Sequence, residues 1–158
     1  MASKLIETGY GRVPLVGLLN RSGQLMDERL FSELRAAGYP ELRPGHACVF
    51  GNIEPGGSRL TDIAERAQIT KQAVGEVASE LERIGYLERI PDTTDKRAKI
   101  LRLTKRGQEA QDEGYAIIQR VERELAEAYG VELVNALRGA LEDYTALGAG
   151  HAVGRHAA

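Results

Sequence analysis

The feature that most constrains the fold of this chain is a change in hydrophobic period within residues 59–107. Apolar residues first recur at helical spacing in two short runs, at Leu60, Ile63, Ala64 and Ala67, and then at Val74, Val77, Ala78, Leu81 and Ile84. After Gly85 the pattern becomes strand-like in two pieces, Tyr86 to Ile90 and Ala98 to Leu103. The segment 91–97 between them is rich in turn formers and charge. The sequence therefore predicts two paired helices followed by a charged β-hairpin.

Further helices are predicted on both sides of this segment. Within 12–37 the apolar residues keep helical spacing, at Leu15, Leu18, Leu19, Met26, Leu30 and Leu34. A short helix is predicted near 44–50. Thr104 is the predicted N-cap of a long helix that ends near Tyr129, and Gly130 separates it from a last helix.

Helix, turn, helix and charged hairpin is the order of elements in a winged helix-turn-helix. The predicted fold class is mainly α (α+β), with dimerisation helices on both flanks of the winged helix. We predict a single domain, 1–158, with the winged helix at 40–104, dimerisation helices at 11–37 and 104–147, and a disordered tail at 148–158. The flanking apolar faces exceed what so small a core can cover, which predicts a symmetric homodimer. The alternative is a monomer in which these helices complete the local core.

Composition excludes several classes of protein. Cys48 is the lone cysteine, so there is no internal disulfide framework, and no Cys/His cluster has metal-ligand spacing. No apolar run approaches the roughly 20 residues that span a bilayer, and the N-terminus lacks the apolar segment of a signal peptide. Glycine-rich phosphate loops and a nucleophile beside an evident base are also missing. We therefore expect a cytoplasmic protein that is not an enzyme, holds no cofactor and has no membrane partner.

The charge of the chain is unevenly distributed. The formal net charge is −2, but residues 58–106 carry 11 basic against 8 acidic side chains, whereas the remainder carries 10 against 15. From Asp95 to Arg106 the count is six basic residues to one acid. Phosphates respond to the local field within roughly 10 Å, so this hairpin favours double-stranded DNA as a partner. The alternative is a solvated charged face.

The second paired helix carries the predicted base contacts. Its core-facing positions leave six residues on the outer side, namely Thr70, Lys71, Gln72, Gly75, Glu76 and Ser79. Lys71 can reach guanine or a phosphate, and Gln72 can pair with adenine. Thr70 is the predicted cap, and Gly75 would let the helix approach the groove closely despite its helix-propensity cost of about 1 kcal/mol. Glu76 is expected to lie off the contact surface or to hold a neighbouring side chain. The alternative is an ordinary solvated helix start.

The hairpin tip supplies the remaining DNA-binding candidates. Asp95 is close enough to Arg97 to brace the hairpin or orient the guanidinium. Arg97 would then point away from the body, where a narrow minor groove attracts arginine. Lys96 and Lys99 would contact the sugar-phosphate backbone. The alternative is an exposed turn with an incidental ion pair, worth about 0–1 kcal/mol.

These parts together resemble a known family. The matching motifs are the helix-turn-helix runs 59–66 and 69–74, the Gly85-Tyr86-Leu87 junction, the Asp95-Lys96-Arg97-Ala98 tip and the Leu103-Thr104-Lys105-Arg106-Gly107 helix start. Over residues 40 to 115 the chain resembles the MarR family of bacterial transcriptional regulators. The resemblance implies a homodimer that binds a pseudo-palindromic operator, usually to repress, and is released by a small, often aromatic effector. It also implies that Arg97 is the minor-groove residue and Asp95 its partner.

Two matters stay open at this stage. In this family, ligands often sit where the dimer helices meet the winged helix, and the effector-binding candidates here are Met26, Leu30, His46, Phe50 and Tyr115. Each is equally a candidate for plain packing, and His46 for a structural histidine. Some relatives sense oxidants through a cysteine near the first helix, but Cys48 lies well after it and is interpreted as a small core residue. A different class of function is a winged helix that serves as a protein-interaction module.

Overall fold

The computed structural model describes residues 13–95 and 97–153, with side chains up to 147. The described helices are α1 (Leu15–Ala36), α2 (Ala47–Phe50), α3 (Leu60–Ala67), α4 (Lys71–Arg83), α5 (Lys105–Tyr129) and α6 (Val131–Val153), and a 3-10 turn at Pro44–His46 leads into α2. The strands are β1 (Ser58–Arg59), β2 (Leu87–Pro91) and β3 (Lys99–Leu103). The chain forms two compact units, with the boundary between Tyr115 and Ala116.

The paired helices of the first unit form because each has one buried stripe and a defined end. In α3 the buried side chains are those of Ile63 and Ala64, and α4 buries Val74, Ala78 and Leu81. The turn between them is made by Gln68, which has a left-handed backbone with φ of 54°. Thr70 then caps α4, because its side chain accepts a hydrogen bond of 3.2 Å from the backbone N–H of Ala73.

The hairpin belongs to a three-stranded antiparallel sheet with the order β1-β3-β2. In β2 and β3, Leu87 lies opposite Leu103 and Pro91 opposite Lys99. The sequence predicted these two strands within one residue of their ends, but it did not predict β1. This strand has only two residues, which is too short for a period to show. Gly57 directly precedes β1. Its backbone has φ of +105° and passes too close to Leu101 of β3 for a side chain.

The start of α5 is fixed against the residue that precedes β2. Thr104 caps this helix, since its hydroxyl oxygen accepts a 3.1 Å hydrogen bond from the N–H of Gly107. The backbone N–H of Thr104 donates to the carbonyl of Tyr86 at 3.0 Å, and its hydroxyl donates to the carbonyl of Gly85 at 2.7 Å. The predicted cap at Thr104 is therefore confirmed.

The second unit contains the rest of α5 and α6. Gly130, with φ of +90°, ends α5 as predicted, and Arg138 pairs with Glu122 at 2.8 Å. Many large apolar side chains of this unit are exposed, namely Ile118, Tyr129, Val131, Leu133, Leu137, Leu141, Tyr144 and Leu147. No helix in the described part of the chain combines the length and apolar character needed to cross a bilayer.

The prediction for the C-terminal tail is wrong in its first part. Residues 148–153 are helical rather than disordered, because α6 continues to Val153. No proline interrupts this stretch, and its alanines favour helix strongly enough to carry two glycines. The rest of the predicted tail, 154–158, lies outside the described residues, as do 11 and 12 of the predicted N-terminal dimerisation helix.

Gly107→Ala is expected to destabilise the protein by about 1–3 kcal/mol. A Cβ at this position would lie 2.1 Å from the carbonyl oxygen of Tyr86, which is itself held by the N–H of Thr104. Urea denaturation followed by circular dichroism measures the change. The control is Gly23→Ala in α1, where a Cβ meets no atom within 4 Å and should gain up to about 1 kcal/mol from helix propensity. Equal stability of the two variants would contradict the close approach.

Candidate nucleic-acid interface

The first turn of α4 presents polar side chains to solvent. Lys71 and Gln72 are exposed, directly after the capping residue Thr70. The side-chain amide of Gln72 donates a 3.2 Å hydrogen bond to the carboxylate of Glu76. Glu76 therefore holds a neighbouring candidate, as expected, and the exposed amide remains able to face a base edge.

The other two helix candidates, Gly75 and Ser79, lie beside neighbouring elements of the first unit. Gly75 is half-buried, and a Cβ on it would lie 3.7 Å from Leu60 Cδ1, so this position faces α3 rather than the open side of α4. Ser79 is exposed, but its hydroxyl donates to the carbonyl of Gly75 at 2.8 Å and accepts from Arg89 of β2 at 3.3 Å. Gly75 therefore lies beside α3, and Ser79 connects α4 to the hairpin.

The hairpin tip brings Asp95 and Arg97 together through the backbone. The carboxylate of Asp95 accepts a 3.0 Å hydrogen bond from the backbone N–H of Arg97, and the carbonyl of Asp95 accepts one of 2.9 Å from Ala98. Asp95 therefore shapes the turn, which is one of the two roles expected for it. Arg97 and Lys99 are exposed, whereas Lys96 lies outside the described residues.

The start of the turn at the hairpin tip holds an ion pair that the sequence did not single out. Asp92 is buried, and its carboxylate accepts hydrogen bonds from the N–H and hydroxyl of Thr94, both at 2.7 Å, and from Arg59 Nε at 2.7 Å. These hydrogen bonds hold the pKa of Asp92 well below its usual range, and those from Thr94 have the largest effect. The available signal was an aspartate two residues before a threonine, which is typical of an Asx turn. Nothing in the sequence pointed to Arg59.

The hairpin has fewer unpaired basic side chains than the count from the sequence suggested. Three of the six basic residues after Asp95 lie in ion pairs: Arg102 with Glu88 at 2.8 Å, Lys105 with Glu109 at 3.8 Å, and Arg106 with Glu41 at 3.0 Å. Among the described residues, Arg97 and Lys99 are the members of that set without an ion-pair partner. The unpaired positive charge is thus concentrated at the tip, where a phosphate or groove contact is expected.

Comparisons with known proteins bear on this winged helix. Residues 54–99 match the MarR family model. The match confirms the resemblance seen in the motifs, and it covers the helix-turn-helix and most of the hairpin. A search of curated proteins found no relative of this chain.

Solved structures of MarR-type regulators share the fold of this chain. A MepR–DNA complex from S. aureus superposes with a TM-score of 0.71 at 20% identity, covering 85% of this chain and 98% of that one. A mutant MarR from E. coli complexed with operator DNA gives 0.69 at 20% identity, with coverage of 84% and 94%. A MarR-family transcriptional regulator from Rhodococcus gives 0.66 at 21% identity, with coverage of 82% and 90%. The predicted mainly α winged helix-turn-helix with helical flanks is confirmed.

The effector-binding candidate His46 is a buried structural residue in this MarR-type fold. Its Nδ1 accepts a 3.3 Å hydrogen bond from the backbone N–H of Arg43, and its Nε2 lies 3.4 Å from the carboxylate of Glu80. Nε2 also lies 3.4 Å from Nε of Arg43. Arg43 also pairs with Glu80, so the three side chains join the turn before α2 to the middle of α4. Burial lowers the pKa of His46, which keeps the ring neutral.

The other effector candidates differ in their exposure. Met26 and Tyr115 are exposed, while Leu30 and Phe50 are half-buried. The ring of Phe50 meets that of Tyr86 edge-on, with centroids 6.2 Å apart. A cleft of about 270 Å³ lies in the second unit. None of the effector candidates lines it, and the residues that do include Glu122, Val131 and Arg138.

Cys48 fits its interpretation as a small core residue. It is half-buried, its thiol donates a 3.2 Å hydrogen bond to the carbonyl of Gly45, and burial raises the pKa of the thiol. A raised pKa leaves less thiolate at neutral pH, and the thiolate is the form that reacts with oxidants.

His46→Gln is expected to reduce the loss of stability that the protein shows as pH falls from about 7 to 5. The pKa of His46 is lowered in the folded state, so the unfolded chain takes up the proton first and unfolding becomes easier in acid. Urea denaturation at both pH values measures the effect. His151→Gln, which removes another of the chain's three histidines, is the matched control. An identical pH dependence in the His46 variant and the wild type would contradict the assignment.

Proposed function

We propose that this protein is a DNA-binding transcription regulator. The observation that carries the proposal is the pairing of two exposed features in one unit, the polar first turn of α4 and a hairpin tip whose Arg97 has no ion-pair partner among the described residues. A helix start suits the major groove, and an arginine on a hairpin suits a narrow minor groove. The MarR family match and the operator-DNA and DNA complexes among the structural neighbours support a regulator rather than an enzyme.

In this proposal the contacts divide by what they recognise. Gln72, with Lys71 beside it, reads base edges, because a glutamine amide matches adenine and a lysine ammonium matches guanine. Lys99 and the Thr70 region position the protein on the sugar-phosphate backbone, which adds affinity without sequence information. Arg97 enters the minor groove, with its backbone held by Asp95.

The finer part of the proposal is a homodimer that represses from a pseudo-palindromic operator. Large apolar side chains are exposed on α1, namely Leu15, Val16, Leu18, Leu19, Leu25 and Met26, and others are exposed on α6. Exposed apolar surface of this extent is typical of a protein–protein interface. A second copy of the same chain would cover it symmetrically and set two copies of α4 about one DNA turn apart.

Release by a small, often aromatic effector completes the proposal, and it rests on the resemblance to the MarR family. Met26, Leu30, Phe50 and Tyr115 remain its candidate contacts. The competing function is a winged helix that docks a protein partner. Binding to DNA through phosphate contacts releases counterions and falls steeply with salt, so a salt titration distinguishes the two.

Arg97→Ala is expected to weaken DNA binding and to lower the slope of log affinity against log salt by about one unit. The duplex is selected from a random library by the wild-type protein, and fluorescence anisotropy across salt concentrations measures both quantities. Arg83→Ala, an exposed arginine in the last turn of α4, is the matched loss of one charge and should leave the slope unchanged. A salt-insensitive interaction in the wild type would instead support a protein-docking module.

Leu137→Glu is expected to shift the protein from dimer to monomer, because it places a charge on an exposed apolar face of α6. Sedimentation at micromolar concentration measures the mass, and a monomer weighs 17.2 kDa. Asp143→Lys, six residues further along α6 and about 120° around the helix from Leu137, is the control and should stay dimeric. A wild-type protein that sediments at the monomer mass would contradict the dimer.

A further inference from the structure

The side chain of Arg59 makes a contact that crosses the sheet. It lies in β1, opposite Ile100 of β3, whereas Asp92 follows the end of β2 on the far side of β3. The guanidinium nonetheless reaches Asp92, with 2.7 Å between Nε and the carboxylate, and its other end lies 3.3 Å from the hydroxyl of Thr94. One side chain therefore connects the start of α3 to the base of the hairpin tip.

Asp92 passes this connection to the tip. Its carboxylate accepts from the N–H groups of Thr94 and Asp95, and its own N–H donates to the carbonyl of Ala98 at 3.2 Å. Asp95 in turn holds the N–H of Arg97. Two aspartates thus order the backbone of the turn, and Arg59 attaches the first of them to the helical part of the winged helix.

The attachment matters because the hairpin has few others at this end. The β2–β3 ladder ends where Pro91 lies opposite Lys99. Beyond it, every described residue of the turn except Asp92 and Ala98 is exposed, so apolar packing contributes little to the direction in which the tip points. A buried carboxylate held by a guanidinium is a directional constraint, since both the angle and the distance of such a hydrogen bond are restricted.

We propose that Arg59 is a positioning residue for DNA binding, which through Asp92 and Thr94 sets where the hairpin tip holds Arg97 relative to the first turn of α4. The inference rests on the proposed function. In the proposed complex, α4 contacts the major groove while the hairpin tip contacts the minor groove. A tip that can pivot either fails to make the minor-groove contact or loses conformational entropy when it does, and both weaken binding. Arg59 itself need not touch DNA.

Asp92→Asn gives the sharpest test. The asparagine keeps the shape and can still accept from the N–H of Thr94, but it weakens the contact with Arg59. Positioning predicts roughly tenfold weaker binding to the selected duplex, although the variant is one charge more positive. If Arg59 instead contacted phosphate directly, releasing it would leave binding unchanged or tighter, and that result overturns the proposal. Arg59→Gln should weaken binding by a similar factor, and Arg59→Lys by less.

A double-mutant cycle tests whether Arg59 acts through Arg97. In an Arg97→Ala background, Arg59→Gln should change affinity by less than about twofold, because the contact it positions is already gone. A full effect in that background overturns the proposal. Arg102→Gln, which removes a guanidinium paired with Glu88 on the same sheet, controls for the loss of charge. Its effect should be the same in both backgrounds.

Amide hydrogen exchange separates this inference from the proposed function. Arg59→Gln should speed exchange at Thr94 and Asp95 while the amides of α4 and the unfolding midpoint stay near wild type. Unchanged exchange at those two amides overturns the attachment, whatever the affinity. Fast exchange in the variant together with a wild type that binds no DNA would confirm the attachment, contradict the proposed function and overturn the binding role of Arg59.

Discussion

The burial of Tyr86 is the constraint on which the rest of the winged helix depends. Its ring is fully buried, with Phe50 edge-on at 6.2 Å and the guanidinium of Arg106 at 4.8 Å over its face. Its hydroxyl donates to Glu41 at 3.0 Å, and its carbonyl accepts from the N–H of Thr104. The end of α4, the start of β2 and the start of α5 therefore meet at one residue. Because its polar atoms are partnered and its ring is enclosed, this meeting point has little freedom to shift.

The contacts of Tyr86 fix the geometry of one end of the hairpin, and different contacts fix the geometry of the tip. At the Tyr86 end, packing and helix capping determine the geometry. At the tip, hydrogen bonds and charge determine it, through Asp92 and the turn around Asp95. A β-ribbon of two five-residue strands twists and bends easily, so control at one end does not extend to the other. The structure supplies a separate attachment at each end.

The parts of this fold that the sequence predicted are those set by near neighbours along the chain. The caps at Thr70 and Thr104, the break at Gly130 and the two long strands follow from spacing and turn chemistry. The long-range parts were missed. Nothing local in β1 marks it as a strand, and the partner of Arg59 lies 33 positions away.

In the candidate site, too, the features set by local patterns were predicted and those set by tertiary contacts were not. The exposure of Lys71, Gln72 and Arg97 follows from helix and turn patterns and was predicted. The packing of Gly75 against Leu60 depends on how α3 crosses α4, and the pairing of Arg106 with Glu41 depends on contacts 65 positions apart. Residue counts therefore overstated the unpaired positive charge of the hairpin, and helix spacing did not show that Gly75 lies beside Leu60. Both follow from tertiary contacts that a linear pattern does not contain.

In the proposed DNA complex, the hydrogen bond between Gln72 and Glu76 would affect discrimination between DNA sequences. A glutamine in solution samples many rotamers, whereas one already held by a carboxylate one turn further along the helix loses less entropy when it meets a base. The same carboxylate repels phosphates, and that penalty falls on every duplex alike. Only a duplex that offers the matching base edge recovers the difference. In the proposed complex, the charge of Glu76 would therefore lower affinity for all DNA equally, whereas the pre-ordered Gln72 would widen the difference between matching and non-matching sites.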